Sequence, residues 1–285
     1  MKTVKAFVVS SVFSLVTGGG SWLTGVDPHP PLPALRPLPG TASAPVTVRT
    51  PGRLLAYDPR GDGRAIEVFG SLRAARHIAV LVPGTGWDLN KLLKGSRNAD
   101  PVRGAQVLRA QMAALDPSAR TAVVVWLGYD APEDIDRQAF RSERAAAGAR
   151  ALVSFVRALP DRARLTLVGH SYGTVVLGRA ASRLPEVSDL VALASPGMDA
   201  GSVADLGTGA RVWAARASGD PIRLSPDVRM AGYGHLTDPV SPEFGAAVFR
   251  TGGIRGHNGY YRPGSESVLN LARIILGRAG EVTRG

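Results

Sequence analysis

The segment that decides the fold is RARLTLVGHSYGTVVLG, residues 162–178. A strand-like apolar run at 165–168 leads into Gly169, and a helix-like run begins directly after Gly173. Ser171 stands between the two glycines, in a G-x-S-x-G pattern. A sharp strand-to-helix turn of this kind presents a serine as a nucleophile, and it needs small residues two places before and after that serine. The context therefore predicts Ser171 as a catalytic nucleophile; the alternative is a tight structural turn.

Further strand-like runs lie on both sides of this segment and alternate with helical patterns. The predicted strands are 53–57, 65–69, 77–82, 121–127, 164–168, 190–194, 211–216 and 245–249. The predicted helices are 101–115, 132–159, 174–183 and 265–276. Turn residues at 58–64 join the first two strands into an antiparallel hairpin. The alternation indicates an α/β fold with a mostly parallel sheet, helices on both of its faces and the hairpin at its N-terminal end.

The composition is that of a globular protein, with 285 residues of which 45% are hydrophobic and 20% are charged. Cysteine is absent, which excludes a disulfide framework, a thiol nucleophile and a cysteine metal site. The net charge of +11 comes mostly from arginines scattered singly along the chain. There is no basic run of five residues and no basic patch interleaved with aromatic residues, so no nucleic-acid partner is predicted.

The first fifty residues differ from the rest of the chain. Lys2 and Lys5 precede an uncharged, largely apolar run, so residues 1–26 are predicted to be a signal peptide or a membrane-tethering segment. The alternative is a buried N-terminal helix of a cytoplasmic protein. Prolines make 27–50 a linker, and the folded domain is predicted at 51–285. We therefore expect a secreted or membrane-associated protein, with a cytoplasmic one as the alternative.

A serine nucleophile needs a base, and the loops after strands should supply it, because ligands bind such sheets beyond the carboxyl ends of the strands. Behind a nucleophile elbow the acid comes next in chain order and the histidine last. His257, between the last predicted strand and the last predicted helix, is the predicted base. His235 is the rival and is more typical of a structural loop histidine. His170 adjoins the serine but is predicted to point away from its hydroxyl.

Asp220 is the predicted acid. It lies in the loop just beyond the strand at 211–216, where Pro221 fixes the turn. Its role would be to hold the imidazole in one tautomer and to stabilise the imidazolium. Asp238, with Glu243 behind it, is the rival.

Backbone N–H groups are predicted to form an oxyanion hole. One belongs to Tyr172, the residue after the nucleophile, and the other comes from the glycine-rich turn at 83–86. Thr85 is the predicted second donor and Gly86 the alternative, unless 83–86 is a plain tight turn. The sequence has no H-E-x-x-H, Walker A or dinucleotide-binding motif, so neither a metal nor a cofactor is predicted.

These segments together resemble the α/β-hydrolase superfamily, and more narrowly a family of bacterial α/β-hydrolase domains without a settled function. The resemblance rests on AVLVPGTG (79–86), VVVWLGYDAP (123–132), LTLVGHSYGTVVLGRAA (165–181), LVALASPGM (190–198), GHLTDPVSPEFGAAVF (234–249) and GHNGYY (256–261). It implies an α/β-hydrolase fold with Ser171 as nucleophile, Asp220 as acid and His257 as base. Tyr129 and Asp130 would either line and support the site or have a structural role.

The predicted function is that of a serine hydrolase that cleaves carboxylic esters through an acyl-enzyme intermediate. Its substrate is expected to be a small-molecule or lipid-like ester. The alternatives are an acyltransferase or amidase with the same triad, and a catalytically silent binding protein with the α/β-hydrolase fold. Residues 87–100 and 221–243 are the candidate lids.

Overall fold

The computed structural model describes residues 52–94, 100–135, 138–228, 230 and 232–285. The predicted N-terminal segment, 1–26, and the proline-rich linker, 27–50, lie outside these ranges. Within the described ranges, no helix is both long enough and apolar enough to cross a membrane.

Strands dominate the centre of the molecule. Those in the described residues are β1 (Arg53–Asp58), β2 (Arg64–Gly70), β3 (His77–Val82), β4 (Thr121–Leu127), β5 (Arg164–His170), β6 (Val187–Leu193), β7 (Gly197–Ala200), β8 (Arg211–Ala215), β9 (His235–Leu236) and β10 (Ala247–Val248). Eight of them form one sheet in the order β1-β2-β4-β3-β5-β6-β8-β10. Only the β1–β2 and β2–β4 pairs are antiparallel, which confirms the predicted mostly parallel sheet with a hairpin at its N-terminal end.

Helices cover both faces of this sheet, as predicted. They are α1 (Leu89–Lys94), α2 (Pro101–Leu115), α3 (Glu143–Val156), α4 (Gly173–Ala180) and α5 (Glu266–Ile275). Ile78 and Val80 of β3 share one core with Leu152 of α3, whereas Leu81 shares the opposite core with Leu108 of α2. Successive side chains of a strand point to opposite faces, so β3 contributes to both cores. Full burial of each such aliphatic side chain stabilises the fold by about 1.5–3 kcal/mol.

Two of the helices begin at capping residues. The Asp100 side chain accepts a hydrogen bond from the Val102 N–H at 2.9 Å, and Pro101 is the first residue of α2. The Ser265 hydroxyl accepts from the Val268 N–H at 3.3 Å and caps α5. These side chains satisfy N–H groups that have no partner within the helix, so both helices start where the sequence pattern predicts.

The helix predicted at 132–159 is wrong in its first part. α3 begins only at Glu143, and residues 138–142 form turns and bends. Three consecutive backbone carbonyls in that segment accept hydrogen bonds from distant residues: Ala139 from His235, Phe140 from Gly234, and Arg141 from Tyr172. A helix would use these carbonyls in its own hydrogen-bond ladder, so tertiary contacts replace the helix here.

Other boundaries differ less from the prediction. The strand predicted at 245–249 is reduced to the two residues of β10, and α4 passes at Ala181–Arg183 into a short 3₁₀ helix. β7 and β9 form a separate two-stranded parallel sheet that was not predicted. Elements of two to four residues are too short to show an apolar period, which is why the sequence pattern did not predict them.

The loops after the parallel strands meet at one edge of the main sheet. Val82 at the end of β3 pairs with Gly169 of β5, and Leu193 pairs with both His170 and Ala215. The carboxyl ends of β3, β5, β6 and β8 are therefore level. All of the predicted site residues lie in the loops at this edge.

Candidate active site

The turn between β5 and α4 is a sharp strand-to-helix elbow. Ser171 adopts a φ of 53°, in the left-handed region that is strained for a non-glycine residue. A Cβ on Gly169 would lie 2.9 Å from the carbonyl carbon of Gly173, and a Cβ on Gly173 would collide with the carbonyl oxygen of Val82. These contacts are with backbone atoms, which have little room to move, so both flanking positions require glycine.

Ser171 is held by its backbone and has only 9% of its surface exposed. Its N–H donates to the Leu193 carbonyl at 2.9 Å, and its own carbonyl accepts from Thr174 Oγ1 at 2.8 Å. The Ser171 hydroxyl makes no hydrogen bond within the described part of the chain, so the structure does not join it to His257. In free hydrolases this contact is often long and tightens only when substrate binds.

The structure brings Asp220 and His257 together. His257 Nδ1 lies 2.9 Å from Asp220 Oδ1, and the carboxylate is fully buried while the ring is partly open to solvent. A parallel bridge between Ser218 and Arg255 ties the two loops together just before these residues. The Gly256 N–H also donates to the Ser218 carbonyl at 2.9 Å. The acid and the base are therefore fixed by both backbone and side-chain contacts.

Asp220 is surrounded by hydrogen-bond donors. Burial by itself raises its pKa, but hydrogen bonds from His257 and from the Ile222 N–H outweigh that effect and lower its pKa below the ordinary value. An ionised carboxylate only accepts hydrogen bonds, so His257 Nδ1 must carry the proton. In the neutral ring, Nε2 is then the nitrogen with a free lone pair, which is the tautomer that a general base requires.

Tyr260 is a site residue that the sequence reasoning missed. Its hydroxyl donates to Asp220 Oδ2 at 3.1 Å and accepts from the Ala217 N–H at 2.7 Å. Burial, with a further contribution from the Asp220 charge, raises the pKa of Tyr260, so the hydroxyl stays protonated and donates to the carboxylate. The signal was present in the GHNGYY segment, but an aromatic residue in a glycine-rich loop does not reveal its partner.

His170 makes no hydrogen bond with the serine hydroxyl in the described part of the chain, and it contacts the candidate base. Its Nε2 lies 2.8 Å from the His257 carbonyl oxygen, and the two rings are 5.0 Å apart between centroids. A carbonyl can only accept, so His170 Nε2 carries a proton. Burial, followed by the charge of His257, lowers the pKa of His170 to about 4. His170 is therefore a neutral support for the loop that carries His257.

The predicted oxyanion donors lie against the elbow. A Cβ on Gly84 would be 2.9 Å from the Tyr172 nitrogen, so the 83–86 turn and the elbow are in close contact. The Gly86 N–H donates to the Pro132 carbonyl at 2.7 Å and is already used. The N–H groups of Thr85 and Tyr172 have no acceptor among the described residues. The geometry thus favours Thr85 over Gly86 as the second donor.

Tyr129 supports the same turn. Its hydroxyl donates to the Pro83 carbonyl at 2.7 Å, and the side chain is buried. Asp130 forms an ion pair with Arg144 of α3. Of the two roles left open for these residues, the contact favours a support role for Tyr129, at the first residue of the predicted oxyanion turn.

The rival candidates for base and acid, His235, Asp238 and Glu243, make no contact with the Asp220–His257 pair in the described chain. His235 is fully buried and contacts Asp199 Oδ1 through Nδ1 at 2.9 Å. Asp238 forms an ion pair with Arg216, and Glu243 is exposed. Neither Asp238 nor Glu243 contacts a histidine in the described chain, so the geometry favours Asp220 as the acid. Both ring nitrogens of His235 already have partners in the protein interior, so the geometry favours His257 as the base.

Exposed apolar side chains lie on the loops at this edge of the sheet. Leu224, Val228 and Met230, in one candidate lid, are 43%, 50% and 54% exposed, and Ile135, in the loop after β4, is 74% exposed. In the other candidate lid, 87–100, the described part forms α1. No group of three or more histidine, aspartate or glutamate residues in the described ranges could hold a metal ion.

Comparisons with known proteins identify relatives that have no assigned activity. An uncharacterized protein of Mycobacterium tuberculosis strain H37Rv is 34% identical over 263 residues, which cover 80% of this chain and 40% of that protein. A second uncharacterized protein of the same strain is 33% identical over 204 residues, covering 66% of this chain and 71% of that protein. The chain thus spans about two fifths of the length of the first relative.

This chain is also similar to a solved structure and matches the sequence model of a protein family. The crystal structure of esterase PE8 has a TM-score of 0.47 and 17% sequence identity, and the match covers 75% of this chain and 98% of that one. A likeness at that level says nothing about activity or substrate. The sequence model of the Alpha/beta hydrolase family matches residues 58–230, more than half of the chain, from the end of β1 through the elbow and Asp220. The chain belongs to the Alpha/beta hydrolase family.

Proposed function

We propose that the protein is a serine hydrolase that cleaves carboxylic esters, with Ser171 as nucleophile, His257 as base and Asp220 as acid. The observation that carries the proposal is the 2.9 Å contact between His257 Nδ1 and a fully buried carboxylate, at the sheet edge that bears a strained elbow serine. This arrangement orients an imidazole with its Nε2 lone pair available, which a serine hydroxyl needs in order to become a nucleophile.

In the proposed reaction, Ser171 Oγ attacks the ester carbonyl while His257 Nε2 takes its proton. The N–H groups of Thr85 and Tyr172 stabilise the negative oxygen of the tetrahedral intermediate. His257 then protonates the leaving alcohol, and the acyl group remains on Ser171. Water, activated by His257, attacks the acyl-enzyme and releases the acid, which restores the serine. Asp220 stabilises the imidazolium in both halves of the cycle.

The apolar side chains around the site support an ester with an apolar acyl or alcohol group. Leu224, Val228 and Met230 are at least two fifths exposed on a loop that follows the acid. Covering them with a hydrocarbon chain removes apolar surface from water, which is favourable by about 0.8 kcal/mol per CH₂ group. We therefore propose that kcat/KM rises with acyl length by up to about fourfold per CH₂ until the chain outgrows the surface.

The test is a series of p-nitrophenyl esters of increasing acyl length, assayed with the wild type, Ser171→Ala and Ser154→Ala. Ser154 is a matched control because it lies on an exposed position of α3 and bonds only to its own helix, at the Arg150 carbonyl. Ser171→Ala should reduce kcat by at least about 10³-fold, and Ser154→Ala should stay within about twofold of the wild type. Hydrolysis that survives Ser171→Ala would contradict the proposal.

A further inference from the structure

A second buried histidine–aspartate pair lies behind the elbow, in the small sheet formed by β7 and β9. His235 Nδ1 is 2.9 Å from Asp199 Oδ1, and His235 Nε2 is 2.8 Å from the Ala139 carbonyl oxygen. The other carboxylate oxygen, Asp199 Oδ2, accepts from Arg179 Nε at 2.6 Å. The ester-cleaving reaction proposed above uses none of these side chains.

The His235 ring lies between two acceptors. Nδ1 faces the Asp199 carboxylate, and Nε2 faces the Ala139 carbonyl, so the ring is held from both sides. Burial by itself raises the pKa of Asp199, but hydrogen bonds from His235 and Ser142 outweigh it and lower the pKa to about 2. The contact between Asp199 and His235 is buried, with no exposed surface on the histidine.

The backbone around this pair is strained. Asp199 has a φ of 54° and Leu236, directly after the histidine, a φ of 66°, and neither is glycine. Among the described residues, the remaining non-glycine residues with positive φ are Ser171 and Ala194. These two positions are adjacent in the fold, because the Ser171 N–H donates to the carbonyl of Leu193, the residue just before Ala194. Strain of this kind persists only where surrounding contacts enforce it, and it concentrates at functional sites.

Tyr172 connects the pair to the candidate oxyanion hole. Its ring packs edge-on against the His235 ring, with centroids 5.6 Å apart. Its hydroxyl donates to the Arg141 carbonyl at 2.6 Å and accepts from the Ala145 N–H at 3.1 Å. His235 holds the same 138–142 segment at the Ala139 carbonyl. The Tyr172 side chain is thus enclosed by the histidine on one side and by the segment that this histidine fixes on the other.

We propose that His235 and Asp199 form a positioning pair that sets the Tyr172 backbone N–H toward the oxyanion formed at Ser171. The proposal rests on the function proposed above. The pair touches neither substrate nor reacting atoms. It acts by holding the Tyr172 side chain and the 138–142 segment in one arrangement, so that the backbone N–H directly after the strained serine keeps its direction.

The kinetic test compares His235→Gln and Tyr172→Phe with the wild type. We expect kcat on a p-nitrophenyl ester to fall about 10- to 100-fold in each variant, with KM changed by less than about twofold, because a misdirected oxyanion donor weakens the transition state alone. The inhibition constant of a trifluoromethyl ketone, which forms a tetrahedral adduct, should rise by the same factor as kcat/KM falls. A purely structural role would lower the thermal midpoint and leave this inhibition constant unchanged.

His77→Gln is the matched control. His77 also contacts a backbone carbonyl, that of Ile275 at 3.1 Å from Nδ1, but it lies at the amino end of β3, at the opposite edge of the sheet. This variant should keep the wild-type kcat and inhibition constant. If His235→Gln fails to fold, Tyr172→Phe decides, since it keeps the ring and removes only the two hydroxyl contacts. Unchanged kcat and inhibition constant in Tyr172→Phe would overturn the proposal.

A second measurement separates this proposal from the proposed function. Should the wild type cleave no ester, the proposed function fails, and amide hydrogen exchange followed by mass spectrometry still tests the pair. His235→Gln should then increase exchange in peptides that cover 138–146 and 171–175, and His77→Gln should not. Equal exchange in those peptides for wild type and His235→Gln would overturn the positioning role, whatever the activity of the protein.

Discussion

Substitution of His170 tests whether this buried histidine, beside the candidate base, is neutral in the folded protein. Burial, followed by the charge of His257, lowers the pKa of His170 from 6.5 to about 4, against a hydrogen bond to the His257 carbonyl and the charge of Asp220, which raise it. The pKa is thus lower in the folded than in the unfolded chain. As the pH falls, the unfolded chain takes up a proton first, so stability is lost between about pH 6.5 and pH 4.

The size of this effect follows from the two pKa values. Each pH unit between the two pKa values changes the free energy of unfolding by about 1.4 kcal/mol. The His170 ring should therefore lower the free energy of unfolding of the wild type by about 2 kcal/mol between pH 7 and pH 5, and by about 3 kcal/mol by pH 4. His170→Gln removes the titrating ring, and its amide can still donate to the His257 carbonyl. Asp199 does not contribute in this range, because its pKa is lowered from 3.8 and its stabilisation is lost only below that pH.

Urea unfolding followed by tryptophan fluorescence at pH 7, 6 and 5 measures the free energy of unfolding of both proteins. We expect the free energy of unfolding of the wild type to fall by about 2 kcal/mol more than that of His170→Gln between pH 7 and pH 5. The slope of the free energy of unfolding against urea concentration should be equal in the two proteins. Parallel loss in the two proteins, to within about 0.5 kcal/mol, would refute the account of His170 as a buried neutral ring.

Three further substitutions test the acid, the elbow and the oxyanion turn. Asp220→Asn should lower kcat on a p-nitrophenyl ester by about 10⁴-fold through loss of the correct tautomer, and a loss below about tenfold would exclude Asp220 as the acid. Gly173→Ala should destabilise the fold by about 1–3 kcal/mol in urea unfolding, because its methyl meets the Val82 carbonyl; an unchanged midpoint would contradict the steric argument. Tyr129→Phe should lower the free energy of unfolding by about 1–2 kcal/mol and should lower kcat/KM, because the Pro83 carbonyl loses its donor. Full activity of this variant would show that Tyr129 does not support the oxyanion turn.

The sheet could be predicted from the sequence because its central strands are continuous apolar runs. β3 and β4 are buried on both faces, and their composition shows it without any knowledge of their neighbours. The candidate acid and base could be predicted for a related reason. Parallel strands end at one edge, so residues in the loops that follow β8 and β10 lie close together although they are far apart in sequence.

What could not be predicted depends on contacts across long sequence distances. The 132–142 stretch is predicted as helix from its sequence. The carbonyls of residues 139–141, however, accept hydrogen bonds from His235, Gly234 and Tyr172, and nothing in the local pattern indicates that. Likewise, Asp199 lies 36 residues before His235, so their contact forms only in the folded chain. Tyr260 is missed for the same reason, because its position against Asp220 depends on how the loops after β8 and β10 meet.

Covalent labelling with a fluorophosphonate, followed by peptide mapping, tests directly whether Ser171 is the nucleophile. We expect one label per chain, on the peptide that contains Ser171, and no label on Ser171→Ala. Asp220→Asn should label more slowly than the wild type, since His257 loses the partner that fixes its tautomer. A label on another residue, or labelling that persists in Ser171→Ala, would contradict the assignment.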